Sequence, residues 1–255
     1  MYYLISLVIM VVVLFVWQIP ADRQENMKLN KANDSTSITL EKKETNNQIP
    51  ETKPAKQTEV AQKFVDQDVP FTSQAPFGGW SDERQQDGCE EASALMAVYW
   101  AKDKGLNSFT AWEKITDISD FEQRSYGEYR DITLSDIVDH IFIDYFAYKK
   151  ISLKNDISID DIILELNNGN LVLAPMDGQK LGNPYFKAPG PERHMLVIRG
   201  YDPGTKEFIT NDPGTKRGEA YRYDENVLFE AIRSYPTGYH EPIKIIQKNI
   251  IIVSK

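Results

Sequence analysis

An α+β domain with an antiparallel sheet is the fold class that this sequence predicts. First, apolar residues recur at helical spacing in the run that follows Cys89. Second, short apolar runs of strand length follow Leu171 and His194. Third, the turn signal Asp202-Pro203-Gly204 separates two short runs in the manner of a hairpin. Because helices come first and strands dominate the C-terminal half, an antiparallel sheet is favoured over a doubly wound parallel sheet.

The composition of the 255 residues excludes several classes of function. The formal charge of −9 argues against a nucleic-acid-binding protein, which needs a basic surface. An apolar fraction of 41% with 11% aromatic residues is sufficient for a folded core. The one cysteine excludes an intramolecular disulfide and any zinc site with two or more thiolates, and there are only three histidines. We therefore expect no metal and no cofactor.

Residues 1–21 contain no charged side chain and are mostly apolar. Their length is close to the ~20 residues that a helix needs to span the hydrocarbon core of a bilayer. Tyr2, Tyr3 and Trp17 lie near the two ends, where aromatic rings settle at the level of the headgroups. The segment is therefore predicted to be a transmembrane anchor. A cleaved signal peptide ending at the small residue Ala21 is the main alternative, and a buried core helix is the third.

A polar segment, residues 22–63, follows the predicted anchor. It contains no Phe, Trp or Tyr, and sixteen Ser, Thr, Asn and Gln residues mix with eight basic and seven acidic ones. Such a composition buries too little apolar surface to offset the entropy of ordering, so we predict a disordered linker. Residues 64–255 carry 21 basic and 31 acidic side chains and are predicted to form one domain of ordinary size.

The elements of this domain are predicted in order along the chain. Residues 65–72 have the composition of a strand that ends near Pro70. Three helices are predicted, from Cys89 to about Gly105, from Thr133 to Tyr148 and from Ser158 to Leu166. The last two begin with a capping residue followed by Asp three positions later. Strands are then predicted over Leu171–Pro175, Met195–Ile198 and Phe208–Thr210.

Cys89 is the first candidate for chemistry, because it directly precedes the predicted helix in the run Gly88-Cys89-Glu90. A thiol at a helix N-terminus lies at the positive end of the helix dipole, which favours the thiolate. A cysteine nucleophile is one interpretation of this placement. The other is that a lone cysteine is a small buried apolar residue.

A cysteine nucleophile needs a base, and three histidines are available. His140 lies in the middle of a predicted helix, and His240 lies in a C-terminal loop, so both are interpreted as packing or surface residues. His194 stands at the entrance of a predicted strand. This position fixes the ring on a rigid element while leaving it open to a cleft, so His194 is the preferred base.

Asp212 is the candidate that would orient this histidine. If the two strands beside the Asp202 turn pair so that Ile198 faces Phe208, then His194 faces Asp212. A carboxylate in that place can hold the imidazole in one tautomer and stabilise its protonated form. A slip by one residue would bring a neighbour of Asp212 to that side instead. An ordinary turn residue is the other interpretation of this aspartate.

Three blocks of sequence resemble a known family, the papain-fold cysteine peptidases related to bacteriocin-processing, double-glycine leader peptidases, which are family thirty-nine of the cysteine peptidases. The blocks are Val69–Gln74, Gly88–Ser93 and His194–Pro213. The resemblance implies a papain-like fold in which the nucleophile helix packs on a C-terminal antiparallel sheet. It also implies Cys89 as nucleophile, His194 as general base and then acid, and Asp212 as the orienting residue.

The oxyanion donor is assigned by the same resemblance. Aligning the blocks selects Gln74, with the Cys89 backbone N–H as the second donor. Gln85 and Gln86 are competing donors, because papain-like enzymes use a Gln shortly before the nucleophile. Glu90 departs from the family pattern, since many relatives carry Gly there. Its charge would oppose thiolate formation, so we expect Glu90 to point to solvent.

The combined reading is a membrane-tethered, thiol-dependent peptidase or amidase whose domain lies outside the cytoplasm, or is secreted if the N-terminal segment is cleaved. Its expected partners are a peptide or protein substrate and, through the N-terminal helix, the membrane, but no nucleic acid. Alternatives are an acyl-transferring relative, a catalytically silent module that binds a peptide or cell-wall fragment, and a structural envelope protein. The Pro- and Gly-rich loop over residues 183–191 lines the cleft or is a plain connector, and Phe77 and Trp80 gate the cleft or pack.

Overall fold

The computed structural model describes residues 63–255. The predicted anchor of residues 1–21 and all but the last residue of the predicted linker lie outside the described residues. Within residues 63–255, no helix is both long enough and apolar enough to cross a bilayer.

Seven α-helices form in this described part of the chain, and the local sequence explains where several of them begin. Asn107, Thr133 and Ser158 each accept a hydrogen bond from the backbone N–H three residues later, which satisfies a free donor at a helix start. The helices are α1 (Glu83–Gln86), α2 (Cys89–Ala101), α3 (Ser108–Tyr126), α4 (Leu134–Asp136), α5 (Ile159–Asn167), α6 (Gly178–Leu181) and α7 (Glu225–Ala231). Helix α4 continues as a π-helical segment over Ile137–Tyr145.

The described strands form one antiparallel sheet in the order β2-β7-β3-β4-β5-β6, and β1 also pairs with β4. They are β1 (Val65–Asp66), β2 (Ile151–Lys154), β3 (Leu171–Met176), β4 (His194–Asp202), β5 (Glu207–Asn211), β6 (Tyr221–Asp224) and β7 (Ile250–Val253). Strands β3 and β4 lie near the centre and are almost entirely buried.

The sheet carries a separate hydrophobic core on each face, because neighbouring residues of a strand point to opposite sides. Leu173, Val197 and Ile251 face the core made with α2, α3 and the π-helical segment. The alternate residues of the same strands, such as Leu196 and Ile252, face the core made with α5 and α7. The helix that begins at Cys89 is therefore held directly against the centre of the sheet.

The predicted α+β class with an antiparallel sheet is confirmed, and so are the helices predicted to begin at Cys89, Thr133 and Ser158. The strand predicted over residues 65–72 is wrong in length, because only Val65 and Asp66 pair with β4. Pro70 has no N–H to donate to a ladder, and the chain leaves the sheet before it. Sequence reasoning missed α1, α3, α6, α7, β2, β6 and β7.

The register predicted across the β4–β5 turn is also wrong. Ile198 pairs with Thr210 instead of Phe208, and Phe208 pairs with Tyr201. Two features account for the difference. The turn holds four residues, 203–206, instead of three, and the register shifts between Ile198 and Gly200, as in a β-bulge.

Deleting residues 250–255 removes β7, which pairs with β2 on one side and β3 on the other. Its four buried side chains contribute roughly 1.5–3 kcal/mol each, a sum comparable with the entire stability of a domain. We expect the deletion to abolish cooperative unfolding in urea, as monitored by circular dichroism. Deleting Lys255 alone, which pairs with Asp103 at the surface, should leave the transition nearly unchanged. A cooperative transition in the longer deletion would contradict this role of β7.

Candidate active site

The position of Cys89 is fixed by a tight connection between two helices. Helix α1 ends before Asp87, and α2 begins at Cys89 with Gly88 as its N-cap. A Cβ atom at Gly88 would lie 2.5 Å from the carbonyl oxygen of Arg84 and 3.0 Å from Ile115. Only glycine fits this approach, so Gly88 brings the cysteine to the first helical position. The Cys89 backbone N–H is then one of the donors that the helix itself leaves unused.

The thiol of Cys89 is nearly buried, and its proton is held by a carboxylate. The sulfur donates to Oε2 of Glu90 at 2.9 Å, and Oε1 of Glu90 accepts a hydrogen bond from the Tyr235 hydroxyl at 2.7 Å. Glu90 is 1% exposed, so the expectation that it points to solvent is wrong. The helix continues into the core directly from Cys89, and every residue of its first turn is buried.

Burial governs the ionisation of this pair. Desolvation raises the pKa of the Cys89 thiol well above its usual value, and the neighbouring Glu90 charge raises it further. Burial also raises the pKa of Glu90 to about 7. Both effects oppose the helix dipole, which was expected to favour the thiolate. In this geometry the resting sulfur is a thiol.

His194 and Asp212 form a buried pair beside the cysteine helix. Nε2 of His194 lies 2.7 Å from Oδ1 of Asp212, and both side chains are almost fully buried. Oδ2 of Asp212 accepts hydrogen bonds from the Tyr223 hydroxyl at 2.6 Å and from the Asn183 amide at 3.3 Å, and Oδ1 also accepts from the Gly214 N–H at 3.0 Å. Burial acts to raise the pKa of Asp212, but the His194 charge and these hydrogen bonds lower it overall.

The route by which His194 reaches Asp212 differs from the predicted one. Strand β4 begins at His194, which pairs with Met176 of β3. Asp212 directly follows the end of β5, and its N–H donates to the carbonyl of Gly218. The predicted direct cross-strand pairing is therefore wrong, although the two side chains do meet. The loop after β5 folds back, so that the carboxylate of Asp212 reaches Nε2 of the imidazole.

Cys89 and His194 both line one cleft with a volume of about 1070 Å³. The Ser93 hydroxyl of α2 donates to the Met195 carbonyl of β4 at 3.3 Å, which ties the cysteine helix to the histidine strand. Because Nε2 of His194 is occupied by Asp212, Nδ1 is the ring nitrogen that remains for the thiol. The ring of Phe186 packs edge-on against His194, with centroids 5.3 Å apart.

Gln74 also lines the cleft, but its amide is occupied. Its Nε2 donates to the backbone carbonyls of Gln85 at 3.0 Å and Gln86 at 2.8 Å. Two carbonyl neighbours fix the orientation of the amide, since the opposite orientation would place its oxygen against them. Both N–H groups are therefore used. Of the competing residues, Gln85 is buried, while Gln86 is exposed and lines the cleft.

The Pro- and Gly-rich loop lines the cleft from Tyr185 to Pro191, so it is more than a plain connector. Glu192 and Arg193, which follow it, line the cleft as well. Trp80 also lines the cleft, whereas Phe77 is 62% exposed and does not contribute to the cleft lining. His240 also lines the cleft, and its Nδ1 lies 2.8 Å from the Arg193 guanidinium. In residues 63–255, no group of three His, Cys, Asp or Glu side chains is placed to hold a metal ion.

A second set of buried carboxyls lies behind the cysteine helix. Glu91 accepts a hydrogen bond from the Ser119 hydroxyl at 2.7 Å, while neither carboxyl oxygen of Glu122 has a hydrogen-bond partner. His140 stacks on Tyr126, and its Nδ1 lies 3.6 Å from Glu122. Burial and the charges of the nearby glutamates raise the pKa of Glu122 to about 10. His140 is thus a packed residue, as interpreted from the sequence.

Four residues of this site were missed by sequence reasoning or given another role: Asn183, Glu90, Tyr223 and Tyr235. Asn183 had been noted only as part of a loop, and the two tyrosines carry no motif. Their contacts with Asp212 and Glu90 come from separate parts of the chain, so no local spacing points to them.

Comparison with known proteins places these observations in context. The model of the Peptidase_C39 like family matches residues 66–239. Among solved structures, a crystal structure of a proposed C39-like peptidase from Bacillus anthracis is 14% identical, with a TM-score of 0.46, over 76% of this chain and 98% of that chain. No curated protein matches the chain significantly. The matched range includes Cys89, His194 and Asp212.

Replacing Glu122 by Gln should stabilise the protein in a pH-dependent way. The carboxyl titrates near 4.5 when unfolded and near 10 when folded, so its burial costs stability increasingly as the pH rises above about 4.5. We expect Glu122→Gln to gain roughly 1–3 kcal/mol at pH 8 and much less at pH 5, measured by urea unfolding. Glu113→Gln, exposed on the same helix, is the control. Equal gains at both pH values would contradict a buried, protonated Glu122.

Replacing Glu90 by Gln removes the charge beside the sulfur and keeps the size of the side chain. The pKa of Cys89 should fall, because a charge at hydrogen-bond distance acts strongly in a buried site. The rate of alkylation by iodoacetamide between pH 4 and 10 reports this, since Cys89 is the one cysteine. Glu230→Gln, exposed on α7, should leave the profile unchanged. Coincident profiles for Glu90→Gln and wild type would show that Glu90 does not control the thiol.

Proposed function

We propose that this chain, which belongs to the Peptidase_C39 like family, is a thiol-dependent peptidase or amidase that hydrolyses its substrate through an acyl-enzyme on Cys89. The observation that carries the proposal is the buried His194–Asp212 pair, which opens on the same cleft as a cysteine at a helix N-terminus. A papain-like arrangement, with the cysteine helix packed on the sheet, is consistent with the contact of α2 with β4.

The first step is transfer of the thiol proton to Nδ1 of His194. The sulfur must leave Glu90 to do so, and rotation about the Cα–Cβ bond is the movement required. The thiolate then attacks the substrate carbonyl carbon, and the electron pair of the C=O bond moves to oxygen. The backbone N–H of Cys89 is a donor for this oxyanion, because the helix does not use it.

The second half of the reaction returns the proton. Protonated His194 gives it to the leaving amine as the C–N bond breaks, which leaves a thioester on Cys89. A water molecule, deprotonated by His194, then attacks the thioester and releases the acid. If an amine attacks instead of water, the same intermediate yields acyl transfer. Asp212 holds the imidazole in the tautomer with hydrogen on Nε2 and stabilises the protonated ring.

The location of the domain is a further part of the proposal. We infer that residues 1–21 anchor the chain in a membrane and that residues 22–63 tether the domain outside the cytoplasm, where it meets a peptide or protein substrate. The uncharged apolar stretch and the polar composition of the linker support this arrangement.

A binding module without turnover is the second candidate. The hydrogen bond from Cys89 to Glu90 favours it, because this bond engages the thiol proton with a carboxylate instead of with His194. In such a protein the cleft would hold a peptide or cell-wall fragment without cleaving it.

Substitution of the proposed catalytic residues separates the two candidates. Cys89→Ala should abolish peptide cleavage, and Asp212→Asn should lower kcat by roughly 10²–10⁴-fold with little change in KM, because the imidazole loses its orienting charge. Cleavage of a peptide mixture by the full chain, and a covalent acyl adduct on Cys89, are measured by mass spectrometry. Asp160→Asn, exposed on α5, is the control for loss of a carboxylate.

Two results would contradict the peptidase. Unchanged cleavage by Cys89→Ala would exclude a thiol mechanism. Binding of peptides by the wild-type chain without any cleavage or adduct would favour the binding module.

A further inference from the structure

Three exposed basic side chains line the cleft: Lys187, Lys216 and Arg217. Lys216 and Arg217 belong to the loop that follows Asp212, and both line the cleft that holds Cys89 and His194. Neither forms an ion pair with a carboxylate within residues 63–255, although acidic residues outnumber basic ones in the domain. Other lysines in residues 63–255 also lack an ion pair, but Lys216 and Arg217 lie on the wall of the cleft, and this place points to an anionic ligand.

An aromatic ring holds Arg217 in a defined orientation. The guanidinium of Arg217 lies over the ring of Tyr185, with its central carbon 4.7 Å from the ring centroid. The Nζ atom of Lys216 lies beside Gly78. It is 3.4 Å from the position that a Cβ atom would take at that glycine. Stacking on an aromatic face fixes the orientation of an arginine and leaves its N–H edge free for a carboxylate. Less side-chain entropy is then lost when an anion binds.

The basic loop begins at the proposed reacting centre. A Cβ at Gly214 would lie 3.0 Å from Cε1 of His194 and 2.8 Å from the ring of Phe186. Lys216 and Arg217 follow Gly214 by two and three residues. A substrate side chain that reaches them therefore belongs to a residue close to the bond being cleaved.

Three carboxylates, those of Asp87, Asp131 and Glu192, also line the cleft. Asp131 pairs with Arg193 at 3.1 Å, and Oε2 of Glu192 lies 3.9 Å from Nδ1 of His240. An acidic substrate residue is repelled by these carboxylates, and the cleft therefore distinguishes the two directions of a bound peptide.

We propose that Lys216 and Arg217 form a subsite that selects peptides with an Asp or Glu side chain close to the scissile bond, on one side of it. The proposal rests on the proposed peptidase function, whose substrate class it specifies. The two basic residues act on binding and positioning of the substrate, while Cys89 and His194 perform the chemistry.

The test begins with the positions at which the full chain cleaves a mixed peptide library, identified by mass spectrometry. We expect Asp and Glu to be enriched at one position near the cleaved bond. For the best peptide, replacing that residue by Gln should lower kcat/KM several-fold, and replacing it by Lys should lower it about tenfold or more. The preference should weaken as the salt concentration rises.

Charge reversal on the enzyme provides the matched comparison. The double variant K216E/R217E should lose the preference for the acidic peptide and gain one for its Lys analogue. The double variant K149E/K150E changes the charge by the same amount at two exposed lysines outside the cleft, so it should keep the wild-type preference. Cleavage without regard to peptide charge, or an unchanged preference in K216E/R217E, would overturn the proposal.

Binding to the Cys89→Ala variant separates this proposal from the peptidase function. Fluorescence anisotropy with labelled Glu, Gln and Lys peptides of otherwise equal sequence should give the tightest binding for the Glu peptide. Adding K216E/R217E should reverse this order. If the order holds while the wild-type chain cleaves nothing, the subsite stands and the peptidase fails. Equal affinities would overturn the subsite, even in an active peptidase.

Discussion

The carboxylate of Asp212 is the point on which the cleft depends. It is fully buried, and its partners come from four different segments: His194 at the start of β4, Tyr223 on β6, Asn183 in the Pro- and Gly-rich loop and the N–H of Gly214. A buried charge is tolerated only where hydrogen bonds replace its hydration. The need to satisfy one carboxylate therefore fixes the histidine, the cleft loop and the start of the basic loop together.

Glu90 imposes the opposite constraint on the other side of the proposed reacting pair. Transfer of the thiol proton to His194 places a positive charge next to Asp212, which is favourable, and leaves a negative charge next to Glu90, which is unfavourable. The resting structure resolves this conflict in favour of the thiol. The free energy of the thiolate form therefore depends on both carboxylates, Asp212 and Glu90, which act in opposite directions.

The sequence was sufficient for the fold class, for the three helices with clear starts and for the residue types that meet at the cleft. It was insufficient where position depends on distant packing. The His194–Asp212 contact was anticipated through a wrong register, because a bulge near Gly200 and the exact turn length have no local signature. Helix α3 was missed. Strand β7 was missed as well, because it is short and its assignment as a strand depends on pairing with β2 and β3. Glu90 was placed in solvent because a charge beside the sulfur opposes formation of the thiolate.

The pKa of Glu90, raised to about 7 by burial, suggests how the conflict at the sulfur is relieved. In its charged form Glu90 accepts a hydrogen bond from the thiol and opposes formation of the thiolate. In its neutral form the same carboxyl has a hydrogen to donate, so it can stabilise a thiolate at the same distance. One group can therefore favour either state of Cys89, and its own protonation decides which. The protonation of Glu90 and the ionisation of Cys89 are therefore linked in this site.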